Sequence, residues 1–307
     1  MRRNLRAKRA SIVVTSAALA LGAAAFAAGA DAPIIDWPAY NRLPTSERYA
    51  PFTQISTANV SRLQQLCVYD LDVEVNFQAG PIVIGRTLYV TTDKDTIAID
   101  AGTCRQKWRA HEDGPSIGLR VNRGAAYLDG RVFRGTEDGD VLAYDAESGR
   151  KLWQAHIADP DKAESVPAAP IAWNGLVFIG TAGSDSYGVQ GRMYALDAAT
   201  GTVAWETYTV PTDAPQPRNG KMQAQARATW SNSNGVPITG GGSWTTYSLD
   251  AARGLLYVPV GNPGPDFTNQ VRPGNKGKRI KRRAEQVGDI NGRCGLCGID
   301  RVQAPLI

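Results

Sequence analysis

Few side chains in this 307-residue chain sit in settings that suit chemistry. Trp244 follows Gly240-Gly241-Gly242-Ser243: glycines let the backbone come close to a bound group, and an indole offers that group a flat apolar face. Arg123, in Asn122-Arg123-Gly124, carries a permanent planar charge suited to adjacent oxygens. Cys294-Gly295-Leu296-Cys297 has metal-motif spacing, but haem attachment needs a His where Gly298 stands, and a structural zinc needs two more ligands that this stretch lacks. His111 and His156 each stand close behind a Trp, with no residue nearby in sequence to complete a catalytic dyad, and read as surface residues.

The elements that must position these residues are written as a repeat. Ala-x-Asp-Ala, a turn of small residues and a Trp occur at Ala143 to Trp153 and at Ala195 to Trp205, and in degraded form at Ala98 to Trp108. Each reads as a hairpin in which Asp and Gly make the turn and the Trp opens the next strand. Upstream of each lies a Gly followed by alternating apolar residues, at Gly85, Gly130 and Gly175, an even spacing of 45 residues; a later relative starts at Gly254. One period of this length suits one four-stranded propeller blade, so the fold expected is all-β, a β-propeller. A sandwich with similar turns would not repeat a whole phrase at fixed period. Trp108, Trp153 and Trp205 are assigned to blade packing, whereas Trp244 lies outside the repeated phrase.

Charge divides the chain into three. Residues 1–30 hold five basic side chains and no acid, residues 275–307 hold eight basic against three acidic, and the intervening residues carry −5 of the net +5. The basic start followed by an Ala-rich apolar stretch reads as a secretory signal over 1–30, with an uncleaved anchor as the alternative. Residues 31–274 form the expected propeller. Residues 275–307 change composition abruptly at Asn275 and are expected to be disordered, a truncated or frame-shifted end without strands. A mildly acidic folded part excludes nucleic-acid binding through a phosphate-neutralising surface. Export permits disulfides, and Cys67 is expected to pair with Cys104, which stands where the other hairpin turns have Gly149 and Gly201; two separate buried thiols are the alternative. The irregular stretch between Trp205 and Trp244 is expected to be a functional loop over the propeller mouth.

Three phrases ahead of the repeats narrow the reading: Asp36-Trp37-Pro38-Ala39-Tyr40-Asn41, Glu47-Arg48-Tyr49-Ala50-Pro51-Phe52 and Ile55-Ser56-Thr57-Ala58-Asn59-Val60. Their order resembles the start of the pyrroloquinoline-quinone (PQQ) dependent alcohol and sugar dehydrogenases of bacterial periplasms, and the resemblance runs from about Asp36 to about Gly274. It implies PQQ-type four-stranded blades, about three to four of the family's eight, with the quinone and a calcium ion on the propeller axis. Arg123 matches the family's arginine on the quinone oxygens. The family's adjacent cysteine pair is replaced by Ile117 and Gly118. The loop from Gly180 to Gly191 is similar to one that offers a Gly, here Gly183, to the quinone and a Glu to calcium; Asp185, one carbon shorter, takes the Glu place, Ala182 replaces a Ser and Pro167 a Thr. Trp244 matches the floor on which the quinone stacks, and Asn262 a calcium ligand.

The resemblance further implies oxidation of an alcohol or sugar hydroxyl, with electrons passing to an acceptor such as a cytochrome or a membrane quinone. The family's catalytic Asp has no counterpart in this chain. The competing readings are a non-catalytic propeller that binds partners and an inactive remnant of a dehydrogenase.

Overall fold

The computed structural model describes residues 35–114, 119–183, 188–213, 227, 237–262, 264, 285–289 and 294–295. The expected signal, Asp185, Ile117, Gly118 and, of the stretch between Trp205 and Trp244 expected to be a loop, residues 214–226 and 228–236 lie outside these residues. Among the described residues sixteen strands form four sheets of four, each antiparallel with neighbours in chain order. The first sheet is β1 (Ile82–Ile84), β2 (Thr87–Thr91), β3 (Asp95–Asp100) and β4 (Gln106–His111). The second is β5 (Ala126–Leu128), β6 (Arg131–Gly135), β7 (Asp140–Asp145) and β8 (Lys151–His156). The third is β9 (Ile171–Trp173), β10 (Leu176–Gly180), β11 (Arg192–Asp197) and β12 (Val203–Tyr208), and the fourth β13 (Ser248–Asp250), β14 (Leu255–Pro259), β15 (Glu285–Asp289) and β16 (Cys294–Gly295). These are the expected blades.

The repeated phrases have local causes. Asn174 and Gly175, like Asp129 and Gly130, have positive φ, and so close two-residue hairpins whose twist suits the flanking strands. The Asp ending β7 holds its turn by accepting from the Ser148 amide and hydroxyl at 2.8 and 2.7 Å; Asp197 does the same with Ala199 and Thr200. The first Ala of each phrase lies opposite the Trp: Ala98 faces Trp108, Ala143 faces Trp153 and Ala195 faces Trp205, with a register shift directly after each Ala. A methyl leaves room for an indole, and the shift re-aims it.

That indole joins one sheet to the next. Trp108 donates from Nε1 to the Ala146 carbonyl at 3.0 Å and Trp153 to the Ala198 carbonyl at 3.1 Å, each in the following sheet. The rings lie against the turn glycines: a Cβ at Gly149 would stand 2.6 Å from Trp108, and one at Gly201 2.6 Å from Trp153. The two phrases are therefore halves of one contact between neighbouring blades. Phe133, Phe178 and Leu256 are fully buried between the sheets.

At the other margin the first strands β1, β5 and β9 approach one another. Trp37 bridges to Val83 beside β1, and the segment it begins crosses to the fourth sheet, where the Leu249 amide donates to the Pro44 carbonyl at 2.7 Å. Cys67 and Cys104 form the expected disulfide, with Cα atoms 5.9 Å apart.

The segment from Asn275 onward differs from the expectation of a strandless tail. Glu285–Asp289 pairs along all of β14 and Cys294–Gly295 adds two residue pairs. Five residues of mixed polarity carry too little alternation to announce a strand; the open backbone edge of β14 selects it instead.

Candidate functional site

Arg123 is placed by the segment that leads into β5. Its amide donates to the Pro167 carbonyl at 2.9 Å and its carbonyl accepts from Gly80 at 2.9 Å, so its backbone is held by the approaches to the first and third sheets. Asn122 is buried and fully engaged: Oδ1 accepts from the Thr91 hydroxyl at 2.6 Å and the Gly124 amide at 3.0 Å, while Nδ2 donates to the Gly135 carbonyl at 2.9 Å. Gly124, at φ 134°, lies where a Cβ would meet the Gly80 carbonyl at 2.8 Å. The Asn-Arg-Gly triplet is thus one anchor, one working residue and one close approach.

Trp244 is placed by a different set of strand ends. Ser243 donates its amide to Thr181 at 2.8 Å and its hydroxyl to the Pro259 carbonyl at 3.1 Å. The fully buried Tyr247 hydroxyl accepts from the Gly180 amide at 2.6 Å and donates to the Ser243 carbonyl at 3.1 Å. Burial pushes this phenol well above its ordinary range, so it stays protonated as a structural donor. Gly241, before Trp244, is held by packing within the protein: a Cβ there would be 2.6 Å from the Thr209 hydroxyl, and one at Gly191 2.0 Å from the Gly241 carbonyl. At Gly241 that close approach is to the Thr209 and Val210 side chains.

These separate supports bring Arg123 and Trp244 together. The guanidinium carbon stands 4.6 Å from the centroid of the indole, which is 43% exposed. Arg123 Nε is buried without a hydrogen-bond partner. Desolvation lowers the guanidinium pKa, opposed by the Tyr40 phenol. A buried, unsatisfied cationic donor over a half-open aromatic plane is a place for a flat, oxygen-bearing group.

Asn262 stands on the neighbouring strand end, its backbone carbonyl accepting from Gly241 at 2.8 Å, and Gly261 beside it lies where a Cβ would be 3.3 Å from Trp244 Nε1. Asn262 and Trp244 therefore share one loop pair. Gly183 has φ 94°, and the Ala163 carbonyl occupies the space a Cβ would need, so packing alone demands glycine there. Ala182 and Ser165 exchange backbone hydrogen bonds beside it. Among the described residues no group of three His, Cys, Asp or Glu side chains could hold a metal ion. An open cleft of about 710 Å³ borders the Trp244 loop through Thr245 and Thr246 and is lined on its other side by Tyr40 and Arg48.

Both histidines have partners that adjacent sequence did not reveal. His111 Nδ1 lies 2.8 Å from Asp95 and His156 Nδ1 2.9 Å from Asp140, at the same register position in successive sheets. Period-2 pairing across the hairpin was the signal that could have found them. Both rings are mostly exposed and belong to the repeat. Glu137, buried in the β6–β7 turn, accepts from the Val121 amide at 2.9 Å with one carboxyl oxygen and leaves Oε2 without a partner.

Residues 37–278 match the PQQ family profile described as the glucose/ethanol/alcohol dehydrogenase β-propeller domain. The chain is 33% identical to quinohemoprotein alcohol dehydrogenase ADH-IIG of Pseudomonas putida over 251 residues, covering 78% of this chain and 35% of that protein. It is 30% identical to the dehydrogenase subunit of the quinone alcohol dehydrogenase of Gluconobacter oxydans, covering 80% and 35%. The crystal structure of quinohemoprotein alcohol dehydrogenase from Comamonas testosteroni superposes with a TM-score of 0.74 at 29% identity, over 84% of this chain and 40% of that one. The chain thus spans little more than a third of the length of these relatives.

Proposed function

Because the chain belongs to the PQQ glucose/ethanol/alcohol dehydrogenase β-propeller family, we propose that the Arg123–Trp244 site binds pyrroloquinoline quinone and serves the oxidation of an alcohol or sugar hydroxyl. The observation that carries this reading is the Arg123 guanidinium, its buried Nε without a partner, over the half-exposed Trp244 indole. When bound, the quinone would supply the chemistry of accepting two electrons and a proton, as hydride, from the carbon that bears the hydroxyl.

The chain's own residues would do the following. Trp244 presents a rigid plane for a flat cofactor, its loop pinned by Ser243 and Tyr247. Arg123, held by backbone contacts on both sides and by Asn122, directs its charge to the cofactor's oxygens and stabilises the negative charge they gain. The positioning is prepaid by the fold, because Arg123 and Trp244 each hang on strand ends of different sheets.

Calcium is the finer part of the proposal. The Asn262 amide oxygen and the Asp185 carboxylate would be protein donors to it, and the site's placement beside Trp244 supports the first. The described residues do not supply a complete donor set, and no step is assigned to the ion. An electron acceptor such as a cytochrome or membrane quinone and a periplasmic location belong to the same proposal, the latter supported by the basic, then apolar, start of the sequence.

The test is a titration of the purified chain with PQQ, with and without calcium, following tryptophan fluorescence, then addition of a primary alcohol and an artificial electron acceptor. Saturable quenching whose midpoint moves to higher PQQ concentration in Trp244→Phe supports the site. Failure of PQQ to bind under either condition overturns it and favours a propeller that works by binding partners.

A further inference from the structure

Residues 40–46 carry two backbone irregularities with no glycine at either. Arg42 and Ser46 are both left-handed, at φ 69° and 65°, a region in which a side chain crowds its own backbone. The Arg42 amide donates to the Ala39 carbonyl at 2.8 Å and the Ser46 amide to the Leu43 carbonyl at 2.9 Å, so each closes a tight turn that glycine would close with less strain. At Ser46 the side chain supplies a reason. Its hydroxyl donates to the Tyr247 carbonyl at 2.9 Å and accepts from Asn41 Nδ2 at 3.1 Å and from the Ser248 hydroxyl at 2.7 Å. The proton and both lone pairs are in use, and glycine there would strip all three partners of their bond. The Arg42 side chain instead donates to the Tyr49 carbonyl on its own segment.

The two ends of this stretch meet the two halves of the Arg123–Trp244 pair. At one end the Tyr40 ring fills the space over Gly80, where a Cβ would stand 2.5 Å from Cδ2, and the Gly80 amide donates to the Arg123 carbonyl at 2.9 Å. The same ring borders Gly124, where a Cβ would be 3.6 Å from it. At the other end Ser46 holds the Tyr247 carbonyl, while the Tyr247 hydroxyl donates to the Ser243 carbonyl directly before Trp244. Tyr247 is 1% exposed and packed on all sides, so a shift at its carbonyl is carried to its hydroxyl. An open cleft separates Tyr40 and Arg48 from Thr245 and Thr246, and among the described residues the hydrogen bonds that cross beside it are those of Ser46 and Pro44.

We propose that Tyr40 and Ser46 are the two ends of a positioning strap for this site, with Ser46 the residue that sets the Trp244 plane against the Arg123 guanidinium. Left-handed backbone at Ser46 is tolerated because the hydroxyl fixes Tyr247, the kind of strain that persists where the surrounding structure over-determines it. Ser46 acts through Tyr247 and Ser243, and Tyr40 through Gly80. The effect on PQQ rests on the reading of this pair as the cofactor site, whereas the effect on the pair itself does not.

The test compares Ser46→Gly with Arg42→Gly in the full chain. Both relieve left-handed backbone and add chain freedom, but the Ser46 change alone removes the tie to Tyr247. The first readout needs no cofactor: the NMR signals of the Arg123 side chain, shifted by the Trp244 ring current and assigned by their loss in Arg123→Lys. In Ser46→Gly they are expected to move well toward their positions in Trp244→Ala, and in Arg42→Gly to stay in place. Ser46→Ala, which keeps the backbone restraint, should behave as Ser46→Gly, and circular dichroism checks that each variant folds. The second readout is PQQ affinity by equilibrium dialysis, expected to fall at least about fivefold in both Ser46 variants and less than about twofold in Arg42→Gly. Arg123 signals that stay in place in both Ser46 variants, or that move equally in Arg42→Gly, overturn the strap; moved signals with unchanged PQQ affinity overturn its role in binding. A native chain that does not bind PQQ removes the cofactor reading, and the first readout still decides the strap.

Discussion

The Arg123 guanidinium lies over the Trp244 indole at 4.6 Å, each delivered by the end of a different sheet. Any flat group that uses the indole must share this plane or meet the guanidinium at its edge. Trp244→Ala is expected to weaken PQQ binding by at least about tenfold, about 1.4 kcal/mol, with Trp244→Phe between it and the native chain. Arg123→Ala should cost more than Arg123→Lys, since an ammonium keeps charge but loses the planar fork. Equilibrium dialysis of PQQ against the four variants measures both orders; equal affinity in Trp244→Ala would remove the stacking role.

The turn glycines separate two penalties. Gly175 and Gly201 both have φ near 75°, but a Cβ at Gly175 meets nothing within 4 Å, whereas one at Gly201 would press on Trp153. Gly175→Ala should cost about 1 kcal/mol for left-handed backbone, and Gly201→Ala about 2–4 kcal/mol because overpacking is added. Urea unfolding of the two variants gives the difference.

Asp95 and Glu137 should give opposite pH signatures. Burial pushes the Asp95 carboxyl up, but hydrogen bonds and charge from Arg109 and His111 outweigh it and hold the group below its ordinary value. Its contribution is present above the ordinary carboxylate range and is lost as pH falls through the depressed value. Glu137 is raised, chiefly by burial, against the hydrogen bond from Val121. Its ionised form therefore costs stability at neutral pH, and that cost disappears as pH falls through the raised value. Glu137→Gln is expected to stabilise the chain at pH 7 by about 1 kcal/mol, and Asp95→Asn to flatten the loss at low pH. Denaturant midpoints from pH 3 to 8 would show either slope missing.

Reduction of the Cys67–Cys104 bond should lower stability by about 2–4 kcal/mol, and should free residues 64–71 before the sheets themselves unfold. Proteolysis with and without reductant reads this directly: cleavage near Leu66 that requires reductant is expected, and equal cleavage in both would deny the bond that role.

The parts legible in the sequence were those written with a short period. Gly85, Gly130 and Gly175 announced hairpins, and the Asp turns and repeat tryptophans announced blades. The relation between phrases was not legible, because Trp153 meets Gly201 in another sheet and periodicity within one sheet is silent about that contact. For the site, resemblance named Arg123 and Trp244 one at a time, but only tertiary structure could stack them. Tyr247 was missed because a tyrosine inside an apolar run looks like core; its hydroxyl matters through Gly180 and Ser243, which lie on separate elements. His111 and His156 are separated from Asp95 and Asp140 by a hairpin, so adjacent sequence carries no sign of the pairing. Strand β15 was missed because its partner edge, more than its composition, makes it a strand.

The indole clasp between a sheet and its successor also sets how the molecule loses structure. Because Trp108 and Trp153 each donate to the turn of the next sheet, this set of clasps couples the sheets as nearest neighbours, like a short one-dimensional lattice. A weakened clasp would then act as a domain wall, splitting one melting transition into two, while a defect of equal energy inside a sheet would lower a single transition as a whole.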